Sequence, residues 1–286
     1  SSGSIGWLAE SPLAGEVEIR RGDIRDYDSV RQAVAGCGTV FHLAALIGIP
    51  YSYESPLAYL KTNVEGAYNV LEACRREQVA HLLLTSTSEV YGEARHFPIA
   101  EDHPVGARSP YAASKIGADQ LAASYHAAFG LPMTLVRPFN IFGPRQSARA
   151  VIPTVVGQIL AGAGTLRLGH LHPTRDWTYV DDAAAAFEKI AASPALAGQV
   201  VHIGTGREIS VGDLAGLAAR LLGRDVKIVS DPVRLRPDAS EVGRLLCDNT
   251  RLREATGWSP ARTLEQGLEQ TIAWLRDHPT PAGYVT

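Results

Sequence analysis

Tyr111 and Lys115 stand four residues apart, directly after Ser109-Pro110, and upstream of them the chain reads Thr85-Ser86-Thr87-Ser88-Glu89-Val90-Tyr91-Gly92. The fixed φ of Pro110 suits the first position of a helix. Such a helix would set Tyr111 and Lys115 on one face, about a turn apart. The apolar run Leu82-Leu83-Leu84 before the Thr/Ser/Glu cluster reads as a buried strand, and open α/β sheets bind ligands beyond the ends of such strands. A phenol, an ammonium, hydroxyls and a carboxylate would then converge on one crevice. That set can oxidise an alcohol and move a neighbouring C–H proton.

A tyrosine near its ordinary pKa of ~10 is a poor base. A lysine ammonium about 5 Å away, at an effective dielectric of about 20, favours the phenolate by roughly 3 kcal/mol. That is about two pKa units, enough to bring the phenol near working pH. The competing reading is an amphipathic helix with a half-buried Tyr111 and a Lys115 stem lying on apolar surface. For Glu89 the competing role is a capping box, since Ser86-x-x-Glu89 has the spacing. The turn-rich sequence from Tyr91-Gly92 onward leaves little helix to cap.

The elements that would position these groups alternate along the chain. Ser1 to Gly15 reads as a loop, and Val17 to Ile24 alternates like a strand. Asp26 caps a helix through Val34, with Gly36 as its stop. Thr39 to Ala45 is a continuous apolar run suited to a parallel strand covered on both faces. A loop (46–55), a helix (about 56–76), a strand (81–84), the Tyr111/Lys115 helix (to Phe129) and a strand (133–139) follow. This alternation predicts an α/β fold with a doubly wound parallel sheet and right-handed crossovers. After Gly143 come a helix (151–161), a strand (165–168), a helix (181–193) and a strand (199–204). Helix (211–222), strand (226–230) and two helices (250–257, 264–278) complete the chain. The expected division is a first domain over 1–142, rejoined by about 176–206, and a smaller lobe from 143–175 and 207–286.

With 286 residues and 45% hydrophobic content, the chain has ample core for one or two domains. A formal charge of −3 leaves no basic footprint for nucleic acid. No apolar run approaches the roughly 20 residues of a membrane span, and no secretory signal opens the sequence. Cys37, Cys74 and Cys247 lack metal-ligand spacing and read as reduced core thiols of a cytoplasmic protein.

The motifs together resemble the extended short-chain dehydrogenase/reductases, in their nucleotide-sugar epimerase/dehydratase branch. The resemblance rests on Gly22-Asp23-Ile24, His42-Leu43-Ala44-Ala45, Thr62-Asn63-Val64-Glu65-Gly66, the Thr-Ser-Glu-Val-Tyr-Gly block and Tyr-x-x-x-Lys. It continues through Arg137-Pro138-Phe139-Asn140, Gly143-Pro144-Arg145 and Thr174 to Asp182. It implies a Rossmann-like fold, NAD as cofactor with NADP left open, and a homodimer joined through helices near 56–76 and 110–128. It implies cofactor contacts from Asp23, Ile24, Leu43, Ala44, Ala45, Asn63, Ser86, Tyr111, Lys115 and Pro138. The family's opening strand and Gly-x-x-Gly-x-x-Gly turn, which hold the pyrophosphate, are not found here. Gly3, Gly6 and Gly15 have neither the spacing nor a preceding apolar strand, so an N-terminal segment is expected to be missing.

Common to the branch is oxidation at sugar C4, implying Tyr111 as base, Thr87 as its hydrogen-bond partner and Lys115 as ribose anchor. A 4-epimerase has no use for a carboxylate beside the hydroxyl, whereas Glu89 would remove the acidified C5 proton ahead of water loss from C6. Ser88 stands where some 4,6-dehydratases carry Asp, as in the GDP-mannose type. The stretch Gly143 to Pro153 and Arg234-Leu235-Arg236-Pro237 with Glu241 look like the 4,6-dehydratases of legionaminic-acid pathways. A nucleotide-diphosphate sugar would be held by Asn140, Arg145, Val151, Arg175 and Arg236, with guanidinium forks on paired phosphate oxygens. UDP-glucuronate decarboxylases share Thr-Ser-Glu and remain a rival, as does a C4 epimerase. A binding protein of the same fold without turnover is the alternative of another class.

Overall fold

The computed structural model describes residues 5–279. A short 3-10 turn (Gly6–Glu10) lies in the segment expected as loop. Asp26 caps α1 (Tyr27–Val34), its carboxylate accepting from the Asp28 and Ser29 N–H groups. Then come β1 (Thr39–His42), α2 (Ile49–Glu54), α3 (Pro56–Tyr59), a π-helical turn (Leu60–Glu65) and α4 (Gly66–Arg76). The expected loop 46–55 thus carries a helix, opened by Pro50, and the expected helix 56–76 is interrupted by the π turn. β2 (His81–Thr85), α5 (Pro110–Phe129) and β3 (Met133–Pro138) follow. α5 is bounded by local signals: the Ser109 hydroxyl accepts from the Ala112 N–H, and Gly130 leaves the helix at φ +67°.

Next are β4 (Asn140–Phe142), α6 (Val151–Leu160), β5 (Thr165–Leu168), β6 (Thr174–Tyr179), α7 (Val180–Ala191) and β7 (Val200–Ile203). The chain ends through β8 (Glu208–Ser210), α8 (Val211–Leu221), β9 (Lys227–Ser230), β10 (Arg244–Leu245), α9 (Thr250–Thr256) and α10 (Leu264–Asp277).

The main sheet is parallel, in the order β1-β2-β3-β7. Its period-2 alternation sorts side chains to two covered faces. Leu82, Leu84 and Leu135 meet α4 and α5 through Val70, Leu71, Ala118 and Ala122. Leu83, Val136 and Val201 meet α7 and α9 through Ala183, Ile190 and Leu252. Helices on both faces of a parallel sheet make this a doubly wound, Rossmann-like α/β fold. A second small sheet runs β10-β6-β4 with β8 antiparallel to β6, and β5 pairs with β9. α6, α8 and α10 pack on these strands around Phe142, Trp177, Tyr179, Leu214 and Leu268.

The alternation at 17–24 does not become a strand. Residues 17–23 run as irregular chain, with Val17 and Ile19 exposed. A strand needs a neighbour for its N–H and C=O groups, and among the described residues β1 is the edge of the main sheet, with Phe41 exposed. Cys74 and Cys247 are buried, but Cys37 is exposed in the turn after α1, where its Sγ lies 3.5 Å from the Ala33 carbonyl. No helix among the described residues is long and apolar enough to cross a membrane.

Candidate active site

The register of the main sheet brings the motif residues to one end. His42 pairs with Leu84 and Thr85 with Val136, so Leu43 and Ala44, Thr85 to Thr87, and Arg137 with Pro138 leave adjacent strands side by side at their carboxyl ends. A single 3-10 turn, Ser88–Tyr91, carries Glu89 away from the end of β2. The Thr87 hydroxyl caps it by accepting from the Glu89 N–H at 3.2 Å. The capping box that Ser86-x-x-Glu89 permits does not form, because the Ser86 N–H donates to the Val136 carbonyl at 2.7 Å. Among the described residues no hydrogen bond or salt bridge engages the half-buried Glu89 carboxylate.

Tyr111 is buried on the first turn of α5, its ring packed with Ile49 and Tyr59. Tyr59 meets it edge-on at 6.2 Å and donates to the Gly48 carbonyl at 2.5 Å. Burial pushes the Tyr111 phenol up to about 12; the Thr87 side chain hydrogen-bonds it and pulls down, while the charge of Glu89 pushes it further up. That coupling puts Glu89 within electrostatic reach of Tyr111. Lys115 is 4% exposed and donates to the Thr85 carbonyl at 2.6 Å. Burial draws its ammonium down to about 8, against the opposing charge of Asp119. The spacing argument, which counts only the Lys115 charge, thus fails for this state: desolvation of the phenolate outweighs it.

Asn63, buried in the π turn, accepts from the Leu46 N–H at 2.8 Å and donates to the Leu46 carbonyl and to Ser114 Oγ at 2.9 Å each. It therefore joins the chain after β1 to α5, a job reaching well beyond its own turn. Leu43 and Ala44 are exposed and Ala45 half-buried at the crevice. Asp23 is exposed and closed on Arg25, whose guanidinium and backbone N–H hold its carboxyl down to about 2. Ile24 packs into the α4 core, so tightly that a Cβ on Gly66 would lie 2.6 Å from its Cδ1.

In the smaller lobe, Arg175 is buried and donates to the Thr174 carbonyl at 2.9 Å and to Glu241 at 3.0 Å. Arg236 Nε lies 3.9 Å from the other Glu241 oxygen, so one carboxylate gathers both arginines. Burial lowers the Arg175 pKa while the charges of Glu89 and Glu241 raise it, so Arg175 lies within electrostatic reach of both carboxylates. Asn140 is half-buried beside β6. Arg145 is exposed at φ +66°. Val151 packs into both cores of the lobe.

A nicotinamide dinucleotide fits one end of this crevice. Among the described residues Thr85 Oγ1 is buried there without a hydrogen-bond partner, beside a lysine ammonium and next to exposed small and apolar residues, while the Ser86 hydroxyl lies within reach of the Asp119 carboxylate. Among the described residues no glycine turn opens a helix toward the position of a pyrophosphate.

The family model described as GDP-mannose 4,6 dehydratase matches residues 2–271. The chain belongs to this family. A dTDP-glucose 4,6-dehydratase of Streptomyces griseus is 35% identical over 263 residues, covering 91% of this chain and 78% of that one. A UDP-glucose 4-epimerase of Mycolicibacterium smegmatis is 33% identical over 97% of this chain and 88% of its own. The solved structure of a dTDP-glucose 4,6-dehydratase from Streptomyces venezuelae with NAD bound matches with a TM-score of 0.86 at 30% identity. It covers 94% of this chain and 83% of that one. Nucleotide-sugar dehydratases and epimerases are thus the general kind to which the chain belongs, with the fold of that family's solved members.

Four polar side chains beneath the crevice had no role in the sequence reading, although Tyr91 and Arg137 stand in its motifs: Tyr91, Asp119, Arg137 and His202. Arg137 donates to Asp119 at 2.9 and 3.2 Å and to Tyr91 Oη at 2.7 Å. Tyr91 Oη in turn lies 2.5 Å from His202 Nε2. For Asp119 the Lys115-x-x-x-Asp119 spacing could have pointed to the same helix face.

Proposed function

We propose that the chain is an NAD-dependent nucleotide-sugar 4,6-dehydratase that converts a hexose into its 4-keto-6-deoxy form. One observation carries this choice within the family: the Glu89 carboxylate, which no hydrogen bond engages among the described residues, on the turn capped by Thr87 and within electrostatic reach of the Tyr111 phenol. A bound nicotinamide dinucleotide supplies hydride transfer, from C4 and later to C6, and a cationic ring whose charge favours the Tyr111 phenolate. Tyr111 takes the C4 hydroxyl proton while Thr87 hydrogen-bonds the same oxygen. Lys115 orients the ribose and keeps positive charge below the phenol. With C4 as a ketone, Glu89 removes the C5 proton and delivers a proton to the departing C6 hydroxyl, with Ser88 at the start of the same turn. Arg175 and Arg236 receive the diphosphate, joined by Asn140 and Arg145, and Val151 packs behind them. The relatives solved with NAD support that cofactor. The exposed face with Leu57, Leu60 and Tyr68 would serve a second copy of the chain.

The test is incubation with a panel of nucleotide sugars and NAD, followed by mass. Loss of water from a hexose supports the reading, and loss of carbon dioxide from a uronate replaces it with decarboxylation. The 33% identity to a UDP-glucose 4-epimerase across 97% of this chain favours a second reading, C4 epimerisation. That outcome gives an inverted C4 centre at unchanged mass.

A further inference from the structure

We infer that Arg137 and Tyr91 are positioning residues that fix the Glu89 carboxylate against the Tyr111 phenol. The inference rests on the dehydratase reading for its kinetic part alone. Tyr111 and Glu89 belong to different elements, α5 and the Ser88–Tyr91 turn, and no side-chain bond from Glu89 ties the two. Thr87, which caps the turn and hydrogen-bonds Tyr111, and Lys115, which donates to the Thr85 carbonyl, join them at the crevice, and a further tie lies underneath. Asp119 stands on α5 one turn beyond Lys115 and two beyond Tyr111, so all three share a face. Tyr91 closes the turn that holds Glu89, and Gly92 leaves that turn at φ +56°, where a Cβ would lie 2.0 Å from the Gly106 carbonyl. Arg137, on β3, spans the two elements: Nε and Nη2 hold Asp119, and Nη1 holds Tyr91.

The chain of donors runs one way. The guanidinium donates to the phenol, the phenol to His202 Nε2, and His202 Nδ1 lies 3.2 Å from the Asp248 carbonyl, which accepts its proton. All four side chains are at most 5% exposed. Stability does not account for such a group. A buried ion pair often gives way to apolar residues with no loss of stability, whereas a misplacement of about 1 Å in a reacting group can cost about 100-fold in rate. The arginine fork sets the distance between two elements, a task for which packing alone offers less direction.

The decisive variant is Tyr91→Phe, which keeps the ring in its cluster of Val90, Ile99 and Phe139 and removes the shared hydroxyl. With wild type and variant compared on the same nucleotide sugar, kcat for water loss should fall about 30- to 100-fold with KM within about twofold. C4 oxidation in a single turnover, which needs Tyr111 and Thr87 but not Glu89, should stay within about threefold. Arg137→Lys, which keeps the charge against Asp119 and loses the fork, should fall between the two. Equal loss in both partial reactions overturns the proposal. Amide hydrogen exchange gives a readout that needs no activity: residues 86–92 should exchange about tenfold faster in Tyr91→Phe, with 133–138 unchanged. Unchanged exchange at 86–92 also overturns it. If wild-type protein dehydrates no nucleotide sugar, the reaction assigned above fails, and the exchange result alone decides the role of the network.

Discussion

Replacing Glu89 by Gln separates the two halves of the proposed chemistry, because the substitution removes a charge and a proton acceptor at nearly constant shape. The carboxylate makes no hydrogen bond or salt bridge among the described residues, so stability should change by less than about 0.5 kcal/mol. Loss of a general base costs about 10²- to 10⁴-fold, or roughly 3–5 kcal/mol of barrier, and that loss should fall on C5 deprotonation and water release. The oxidation half should respond differently. The Glu89 charge is one of the influences that hold the Tyr111 phenol up near 12. Without it the phenol ionises at lower pH, and the rising limb of C4 oxidation should move to lower pH. Two assays read these effects: reduced-nicotinamide absorbance in a single turnover between about pH 6 and 10, and deuterium uptake at C5 in heavy water. Elimination surviving within about tenfold would refute Glu89 as the base. An oxidation limb displaced to higher pH would refute the charge coupling between Glu89 and Tyr111.

Burial and the Lys115 ammonium push His42 down to about 4. Its folded pKa lies below the ~6.5 of an unfolded chain, so unfolding takes up a proton between these values and stability falls as pH drops through that window. In urea unfolding, His42→Gln should therefore flatten the loss by about 1.2 kcal/mol per pH unit near pH ~5.5, and an unchanged slope contradicts the burial argument. Glu241→Gln frees Arg175 from its carboxylate and should tighten nucleoside-diphosphate binding about 3- to 10-fold by calorimetry, while Arg175→Lys should weaken it about tenfold or more; shifts of the same sign would place the diphosphate elsewhere. Leu60→Asp, on the exposed face of the π turn, should convert the expected dimer to monomer by light scattering, with an unchanged mass moving the interface off this face.

What could be read from the chain was what local chemistry decides. Ser109, Pro110 and Gly130 bound α5 by capping, a fixed φ and a left-handed stop, and none of these needs a distant partner. The apolar runs announced β1, β2 and β3 as strands; β2 and β3 are covered on both faces, whereas β1, expected to be so, has Phe41 exposed at the sheet edge. Val17 to Ile24 alternates like a strand and stays irregular, because pairing is a property of neighbours and among the described residues β1 is the sheet edge. β10 is two residues long and pairs Arg244 with Thr174, a contact that no window along the sequence contains. The same division holds for the candidate site. Thr87, Glu89, Tyr111 and Lys115 sit in two short motifs. Nothing in sequence joins His202 to Tyr91, or Arg175 to Glu241, across their long separations.

The Tyr111 phenol shows why a pairwise spacing argument is too small a unit. Positive and negative groups alternate through the site: Lys115 beside Asp119, Asp119 on Arg137, Glu89 near Arg175, and Arg175 and Arg236 on Glu241. Each buried charge is thus answered by a neighbour, and Lys115 already spends a donor on the Thr85 carbonyl. What is left at the phenol is desolvation and an uncommitted carboxylate, both of which favour its protonated form. Positive charge arriving with a ligand therefore meets a site poised to respond. In the proposed chemistry it would stabilise the phenolate that takes the first proton and the Glu89 carboxylate that takes the second. Proton acceptance at Tyr111 is on this account gated by occupancy, and effects of substitutions at Glu89, Lys115 and Asp119 on it should be non-additive, since each alters the field at the same phenol.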